Sequence, residues 1–345
     1  MFATTSSQGP FPEINLADGR VSIISTQQFN IFRQAVTNRT TMEEVKRCSR
    51  LCVADVSFKD FEELVKLIQC FPVITCLELE YCSWSSLSAL EYLLLSQNTY
   101  PAEQLQVPMS LSNVTVSIHV SANHETLAQW LMRSPDHNAN DARSVIWTVE
   151  FEPQGEHSSY PDVYERISAS LRILGSTLTG LTLIPNFSIE RITSMDAGRV
   201  RGFNTASHKP LDLLYNNNLQ SIHLDNIVPD NRSREFLRMA LSVIGSRCLC
   251  TISVRFYIDS DHPSNLDVRW FREGLDIAEL QRVALSTGAD LKFQLCGSRS
   301  FINCDAYSQD NLRAAIGNVI LGGLNVDRLR ENSIQVTIDN RFLLR

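Results

Sequence analysis

Short runs in which apolar and polar residues alternate recur along the chain, and longer segments with apolar residues at helical spacing separate them. Alternation is typical of β-strands, because successive side chains of a strand point to opposite faces. The middle positions of these runs are Leu51, Leu77, Val116, Trp147, Leu181, Ile222, Ile252, Leu291 and Ile334. The pattern predicts about nine strands that alternate with helices, and strands connected in this way are parallel.

Several of these runs lie inside a longer repeat. Residues 178–186 and 74–82 match the leucine-rich-repeat core L-x-x-L-x-L-x-x-N/C, and looser copies begin at Cys48, Leu219 and Leu249. Because one such unit cannot bury its own apolar face, neighbouring units must stack. We therefore predict an α/β fold: an irregular leucine-rich-repeat arc like that of ribonuclease inhibitor, with a parallel sheet and with the helices on the convex side.

The segments between the strands predict helices, because their apolar residues recur every three or four positions. The predicted helices span residues 58–71, 86–96, 124–133, 160–174, 233–245, 275–287 and 309–320. Pro72 is expected to end the first of them. A doubly wound sheet would satisfy the same alternation, and the repeated core motif favours the arc.

The patterned region predicts one continuous domain. Residues 1–20 lack a clear pattern and are expected to be disordered or loosely attached, whereas residues 21–345 are predicted to form a single leucine-rich-repeat-like domain. A polar insertion occupies residues 186–218. No amphipathic helix pair is recognisable between residue 14 and residue 50.

Composition and charge disfavour nucleic acid and membranes as partners, and they favour a location inside the cell. The net charge of the 345-residue chain is -7, and its 31 basic residues are dispersed, which disfavours general binding to nucleic acid. The nine cysteines are odd in number, and most lie in apolar runs, which is typical of reduced thiols inside the cell. Neither a secretory signal nor a membrane-length apolar run is recognisable, so we expect a cytoplasmic or nuclear protein without a membrane partner.

Sequence motifs of common enzymes are absent. The chain has no phosphate-binding G-x-x-x-x-G-K-[ST], no G-x-G-x-x-G, no H-E-x-x-H and no G-x-S-x-G. Cys248 and Cys250 are interpreted as small buried thiols of an apolar strand, because no second Cys or His pair stands at ligand spacing. We therefore predict no catalytic residue, no cofactor and no metal, and a function other than catalysis.

The outward positions of the predicted strands are the candidate binding residues. They are Glu78, Glu80, His119, Glu150, His223, Arg255, Lys292 and Gln294. If they line the concave face, that face is acidic in its N-terminal half and basic in its C-terminal half, and could orient a protein of opposite polarity. An ordinary solvated strand face would look the same in the sequence.

One stretch of the chain resembles a known family. Val56, Phe58, Phe61 and Leu64 are followed by F-P-x-I-x-x-L-x-L at residues 71–79 and by Trp84. This order is similar to the repeat region of fungal F-box-like leucine-rich-repeat proteins, and the residues 285–291 are a weaker echo of it. The resemblance implies a receptor whose F-box binds a Skp1-like adaptor while its repeats hold a protein for ubiquitination.

The resemblance does not extend to the F-box. No Leu-Pro-rich, three-helix F-box is recognisable before residue 50, so a Skp1-like adaptor is expected only if an F-box lies upstream. The function predicted from the sequence is thus a protein–protein interaction scaffold, with a role as a substrate receptor of a ubiquitin ligase as its sharper form. The alternative is an α/β enzyme with a doubly wound sheet and an unrecognised active site.

Overall fold

The computed structural model describes residues 12–15, 18–37, 39–86, 107–119, 124–133, 143–151, 163–186, 210–227, 231–258, 277–297 and 334–338, together with the single positions 311, 314, 317 and 318. The strands in this part of the chain are β1 (Glu13–Asn15), β2 (Arg20–Ile23), β3 (Arg50–Ala54), β4 (Ser57–Asp60), β5 (Cys76–Glu80), β6 (Ser83–Ser86), β7 (Asn113–His119), β8 (Ser144–Phe151), β9 (Leu178–Pro185), β10 (Ser221–Ile227), β11 (Thr251–Ile258), β12 (Asp290–Gly297) and β13 (Ile334–Ile338).

A large parallel sheet organises the chain. Its strand order is β1-β2-β3-β5-β7-β8-β9-β10-β11-β12-β13; ten of these strands are parallel, and β1 pairs with β2 in the antiparallel sense. The α/β class, the parallel sheet and all nine predicted strands are confirmed. The tenth parallel strand is β2, which pairs with β3 and was not predicted. Its four residues are too few to show a clear alternation.

The order of the strands follows the order of the chain. Apart from β4 and β6, which form a second sheet of two strands, each successive strand is added beside the one before it. A doubly wound sheet instead reverses its strand order at a switch point. The observed order has no such reversal. It therefore lacks the feature that defines a doubly wound sheet.

Helices connect the strands. Within the described residues they are α1 (Thr26–Ala35), α2 (Arg39–Val45), α3 (Phe61–Gln69), α4 (His124–Leu131), α5 (Val163–Leu174), α6 (Asn231–Leu241) and α7 (Ile277–Thr287). The last four confirm predicted helices to within a few residues at their ends. The predicted helix at 86–96 lies outside the described residues except for Ser86, and the one at 309–320 lies outside them except for four single positions.

The start of α3 differs from the prediction. Phe58 belongs to β4, and the helix begins at Phe61. Asp60 is the reason: its backbone is extended, and its carboxylate accepts a hydrogen bond from the Glu63 amide at 3.0 Å. A side-chain oxygen in this position satisfies an amide that the first turn of a helix leaves unpaired.

The expectation that no helix pair lies between residues 14 and 50 was wrong. Helices α1 and α2 occupy this region and connect β2 with β3. Their sequence is polar, and only three residues of α1 are buried, Gln28, Phe29 and Phe32. So few apolar positions give too weak a periodic signal to predict a helix.

By its internal contacts the chain divides into two compact units, Met1–Thr148 and Val149–Arg345. In the first unit the Phe61 ring lies 5.2 Å from that of Trp84 and 6.1 Å from that of Trp130, centroid to centroid. In the second unit the Phe151 ring lies 5.7 Å from that of Tyr164. The predicted single domain stays a prediction, and most of the polar insertion at 186–218 lies outside the described residues.

Candidate functional site

One face of the parallel sheet carries polar side chains that solvent reaches. In β5, Leu77 and Leu79 are buried in the core, whereas Glu78 is half-buried and Glu80 is exposed. The same alternation runs along β7. Parallel sheets usually have both faces covered by other elements. Most of the outward positions described here are instead partly or fully exposed to solvent.

In the first unit this surface is the N-terminal face, formed by Arg20, Arg50, Cys52, Cys76, Glu78 and Thr115. Ser22 lies at an outward position of β2 but is buried. Cys52, Glu78 and Thr115 face one another across β3, β5 and β7. Glu78 lies between two cations: its carboxylate oxygens are 3.7 Å from Nη2 of Arg20 and 3.4 Å from Nη2 of Arg50. These solvent-exposed contacts place two arginine side chains beside one carboxylate on the surface.

The ends of the same strands carry a second group, the edge cluster, formed by Asp55, Glu80, Tyr81 and His119. Asp55 and Tyr81 are the residues that follow β3 and β5, and His119 ends β7. The Asp55 amide donates to the Glu80 carbonyl at 2.9 Å, and the rings of Tyr81 and His119 lie 5.1 Å apart. All four side chains are exposed.

The edge cluster is electrostatically unbalanced. Burial raises the pKa of Glu80, and repulsion by the carboxylates of Glu78 and Asp55 raises it further. Arg20 opposes this shift only weakly, since its attraction is the smallest of the four causes. In the described part of the chain, neither Asp55 nor Glu80 forms an ion pair with a basic side chain. A cation brought to this position would relieve the repulsion.

In the second unit the corresponding surface is the C-terminal face, formed by Thr182, His223, Asp225, Arg255, Lys292 and Gln294, with the buried Ser253 between His223 and Lys292. Thr182, His223, Ser253 and Lys292 form one row across β9 to β12. Arg255 is held by Asp225, with 3.1 Å between Nη1 and Oδ2. The side chain of His223 is exposed, yet partial burial of its ring lowers its pKa; Lys292 also lowers it, and Asp225 opposes both.

All eight residues predicted as the binding surface lie on outward positions of strands. Glu78, Glu80 and His119 belong to the first unit and the other five to the second. Glu150 accepts a hydrogen bond from Nδ2 of Asn186 at 2.6 Å. Their role in binding stays a prediction. The sequence missed Asp55 and Tyr81, because both follow a strand and belong to no alternating pattern.

The cysteines require a correction. Cys248 and Cys250 are exposed rather than buried, because β11 begins only at Thr251 and the buried residue between the two cysteines is Leu249. Cys82, by contrast, is buried, and burial raises the pKa of its thiol to about 12. Cys304 lies outside the described residues.

A groove lies in the first unit, and none of its lining residues belongs to the N-terminal face or to the edge cluster. It measures about 450 Å³ and is lined by Phe29, Asn30, Arg33, Ser57, Phe58, Lys59, Glu63, Ser83 and Trp84. Glu63 forms an ion pair with Arg33 at 2.7 Å and accepts the Lys59 amide at 2.8 Å. The Glu63 carboxylate therefore connects α3 with α1 and β4. We assign it a structural role and not a role in binding.

Other kinds of site have little support in the described residues. They contain no group of three or more His, Cys, Asp or Glu side chains that could hold a metal ion. None of their helices is long and apolar enough to cross a membrane. No protein-family model, curated protein or solved structure matches the chain.

Proposed function

We propose that the chain is a leucine-rich-repeat-like scaffold that binds another protein through the polar faces of its parallel sheet. The observation that carries this proposal is the open row of charged side chains on β3 to β5 and on β10 to β12. A parallel sheet with an uncovered face is uncommon, and repeat proteins use such faces for binding. Ion-paired residues such as Glu78 and Arg255 offer a partner fixed charges.

The leucine-rich-repeat arc itself is part of the proposal. It is supported by the sequential strand order and by the repeat's last core position. At that position, Sγ of Cys82 lies 3.5 Å from the Val53 carbonyl of the neighbouring strand, to which it donates. Cys296, which lies inside β12, also donates to a carbonyl of the neighbouring strand, that of Phe256 at 3.1 Å. Donors in this position satisfy buried carbonyls as strands stack.

Charge reversal on the two faces tests the scaffold. The tagged full-length chain is used to capture partners from a fungal extract, and the captured proteins are identified by mass spectrometry. We expect Glu78→Lys or Arg255→Glu to reduce capture of a specific partner at least about tenfold, because like charges across an interface cost several kcal/mol. Melting curves establish that each variant folds.

The matched controls reverse charges elsewhere in the same units. Glu43→Lys on α2 and Arg234→Glu on α6 change exposed side chains that lie on helices and not on the strands. Both controls should capture the partner as the unaltered chain does. Equal capture by all four variants would show that neither polar face binds the partner, and the proposal would then be wrong.

We further propose that the scaffold is a substrate receptor of a ubiquitin ligase. This rests on the resemblance of residues 56–84 to F-box-like repeat proteins and not on any site geometry. Co-elution of the purified chain with a Skp1-like adaptor in gel filtration would support it. A partner captured without any adaptor would leave a scaffold outside the ligase. The α/β enzyme alternative gains no support from the described residues.

A further inference from the structure

A small serine separates two larger polar side chains on the C-terminal face. Ser253 of β11 is paired in register with His223 of β10 on one side and with Lys292 of β12 on the other. Because neighbouring strands lie about 4.8 Å apart, the backbones of His223 and Lys292 are about 10 Å apart, with only a serine between them. These three residues form a depression in the face, which we call the serine notch.

The side chain of Ser253 forms the floor of the serine notch. Ile252 and Val254 lie in the core, so Ser253 points to the outer face of the sheet. The residue is only 6% exposed, and in the described part of the chain its hydroxyl forms no hydrogen bond. Most buried hydroxyls in proteins have a hydrogen-bond partner. The unsatisfied hydroxyl therefore indicates a place for a ligand that can bond to it.

Lys292 gives the serine notch its charge. Among the described residues its ammonium forms no ion pair, whereas Arg255, the other cation of the C-terminal face, is held by Asp225. Burial lowers the pKa of His223, Asp225 opposes this shift, and the charge of Lys292 adds to it. The ammonium of Lys292 therefore lies near enough to act on the imidazole across Ser253.

The serine notch offers three hydrogen-bond donors of different kinds. They are the ammonium of Lys292, the hydroxyl of Ser253 and the single N–H of the neutral His223 ring. We infer that the serine notch binds the carboxylate of an aspartate or glutamate side chain of the partner protein. A carboxylate accepts such bonds with both oxygens, and its charge strengthens them. The inference rests on the proposed function, since it names the chemistry that one part of the polar surface recognises.

A carboxylate suits the local charge better than a phosphate group does. Asp225 already balances Arg255, so Lys292 is the cation that remains for a ligand. Asp290 lies two residues before Lys292 on β12 and adds a negative charge on the same side of the sheet. One ammonium can balance the single charge of a carboxylate, but not the nearly double charge of a phosphate group.

Two peptides of matched shape test the inference on the full chain. One fluorescent peptide alternates glycine with glutamate, and the other alternates glycine with glutamine, which has the same shape without the charge. Fluorescence anisotropy reports both affinities at low salt, where attraction between charges is screened least. We expect the glutamine peptide to bind at least about tenfold more weakly.

Two variants locate the glutamate peptide at the serine notch. Lys292→Gln removes the charge, and Ser253→Ala removes only the hydroxyl. Each should weaken binding about tenfold, because a hydrogen bond to a charged group contributes more than one between neutral groups. Lys46→Gln makes the same substitution at an exposed lysine of the first unit and should bind as the unaltered chain does. Melting curves establish that each variant folds.

Four results would overturn the inference. The first two are equal affinity of the two peptides and unchanged affinity in both notch variants. The third is a phosphoserine peptide of the same length that binds at least about tenfold more tightly and is lost in both notch variants, since the occupant would then be a phosphate group. The fourth is a dimer in analytical ultracentrifugation that Lys292→Gln dissociates, since the occupant would then be a second copy of the chain.

The same measurements separate this inference from the proposed function. If the glutamate peptide fails to bind while Arg255→Glu still abolishes partner capture, the assignment of the serine notch is wrong and the scaffold stands. If the peptide binds at the notch while the face variants capture every partner, the scaffold proposal is the one that fails.

Discussion

At the scale of single residues, the turns that follow the strands combine backbone geometry with charge. Asp55 and Tyr81 occupy the same place after β3 and β5, and both have a positive φ. Their amides donate to the carbonyls of Glu80 and Ser117 on the next strands, at 2.9 and 2.7 Å. These bonds bring side chains from separate turns into one cluster. The residues of the edge cluster are therefore near one another because each turn is hydrogen-bonded to the next strand.

The raised pKa of Glu80 predicts how its stability contribution depends on pH. A carboxyl whose pKa is higher in the folded chain contributes stability below its unfolded pKa of about 4.3, and that contribution is lost as the pH rises through the folded value. At pH 7 the ionised group therefore opposes folding. We expect Glu80→Gln to be more stable than the unaltered chain at pH 7, with the difference vanishing below about pH 4.

Urea unfolding at both pH values measures this difference. Glu43→Gln is the control, because the ion pair between Glu43 and Lys46 is exposed to solvent, where such pairs contribute little to stability. A Glu80→Gln variant that is less stable than the unaltered chain at pH 7 would contradict the electrostatic account of the edge cluster.

At the scale of elements, the start of α3 depends on one capping residue. The Asp60 carboxylate accepts the Glu63 amide at 3.0 Å, and Glu63 in turn accepts the Lys59 amide at 2.8 Å. This reciprocal arrangement satisfies amides on both sides of the cap. It also connects the second sheet with the helix, since Asp60 is the last residue of β4.

Removal of the cap should destabilise the chain by a small, defined amount. We expect Asp60→Ala to lower the free energy of unfolding by about 1 kcal/mol. Asp60→Asn keeps a side-chain oxygen that can accept the same hydrogen bond. It should lower the free energy of unfolding by only a few tenths of the loss expected for Asp60→Ala. Chemical denaturation followed by circular dichroism measures both variants. Equal losses in the two would show that the carboxylate's charge, and not its role as an acceptor, stabilises the helix.

At the scale of the whole molecule, the sheet joins strands that are neighbours in the chain. Each inner strand pairs with those before and after it, apart from the small sheet of β4 and β6. In such a topology stability is close to a sum of local terms. Damage to one strand should therefore spread to its neighbours first.

Hydrogen exchange tests this locality. Leu51 is buried in β3 and pairs with Leu77 of β5. We expect Leu51→Ala to cost about 2–5 kcal/mol and to speed exchange mainly in β2, β3 and β5, while β11 and β12 keep their protection. Mass spectrometry resolves these peptides. Leu285→Ala changes an exposed side chain, 42% accessible, and is the control. Uniform loss of protection would contradict local coupling.

The sequence by itself determined nine of the eleven strands of the main sheet and their parallel direction. Alternation of apolar and polar residues is a local property, and helices between strands require parallel pairing. The same alternation correctly put Glu78 and Arg255 on outward positions. Short or polar elements such as β2 and α1 were not predicted, because their few buried residues show no clear periodicity in the sequence.

Only the tertiary structure decided which residues meet. Register across strands brings Arg20 and Arg50 to Glu78, and the turns bring Asp55 and Tyr81 to Glu80 and His119. Burial of the cysteines was also decided there, since Cys82 and Cys248 both lie just outside a strand but differ in exposure. Pairing joins residues that are distant in the chain, and a local pattern carries no information about such partners.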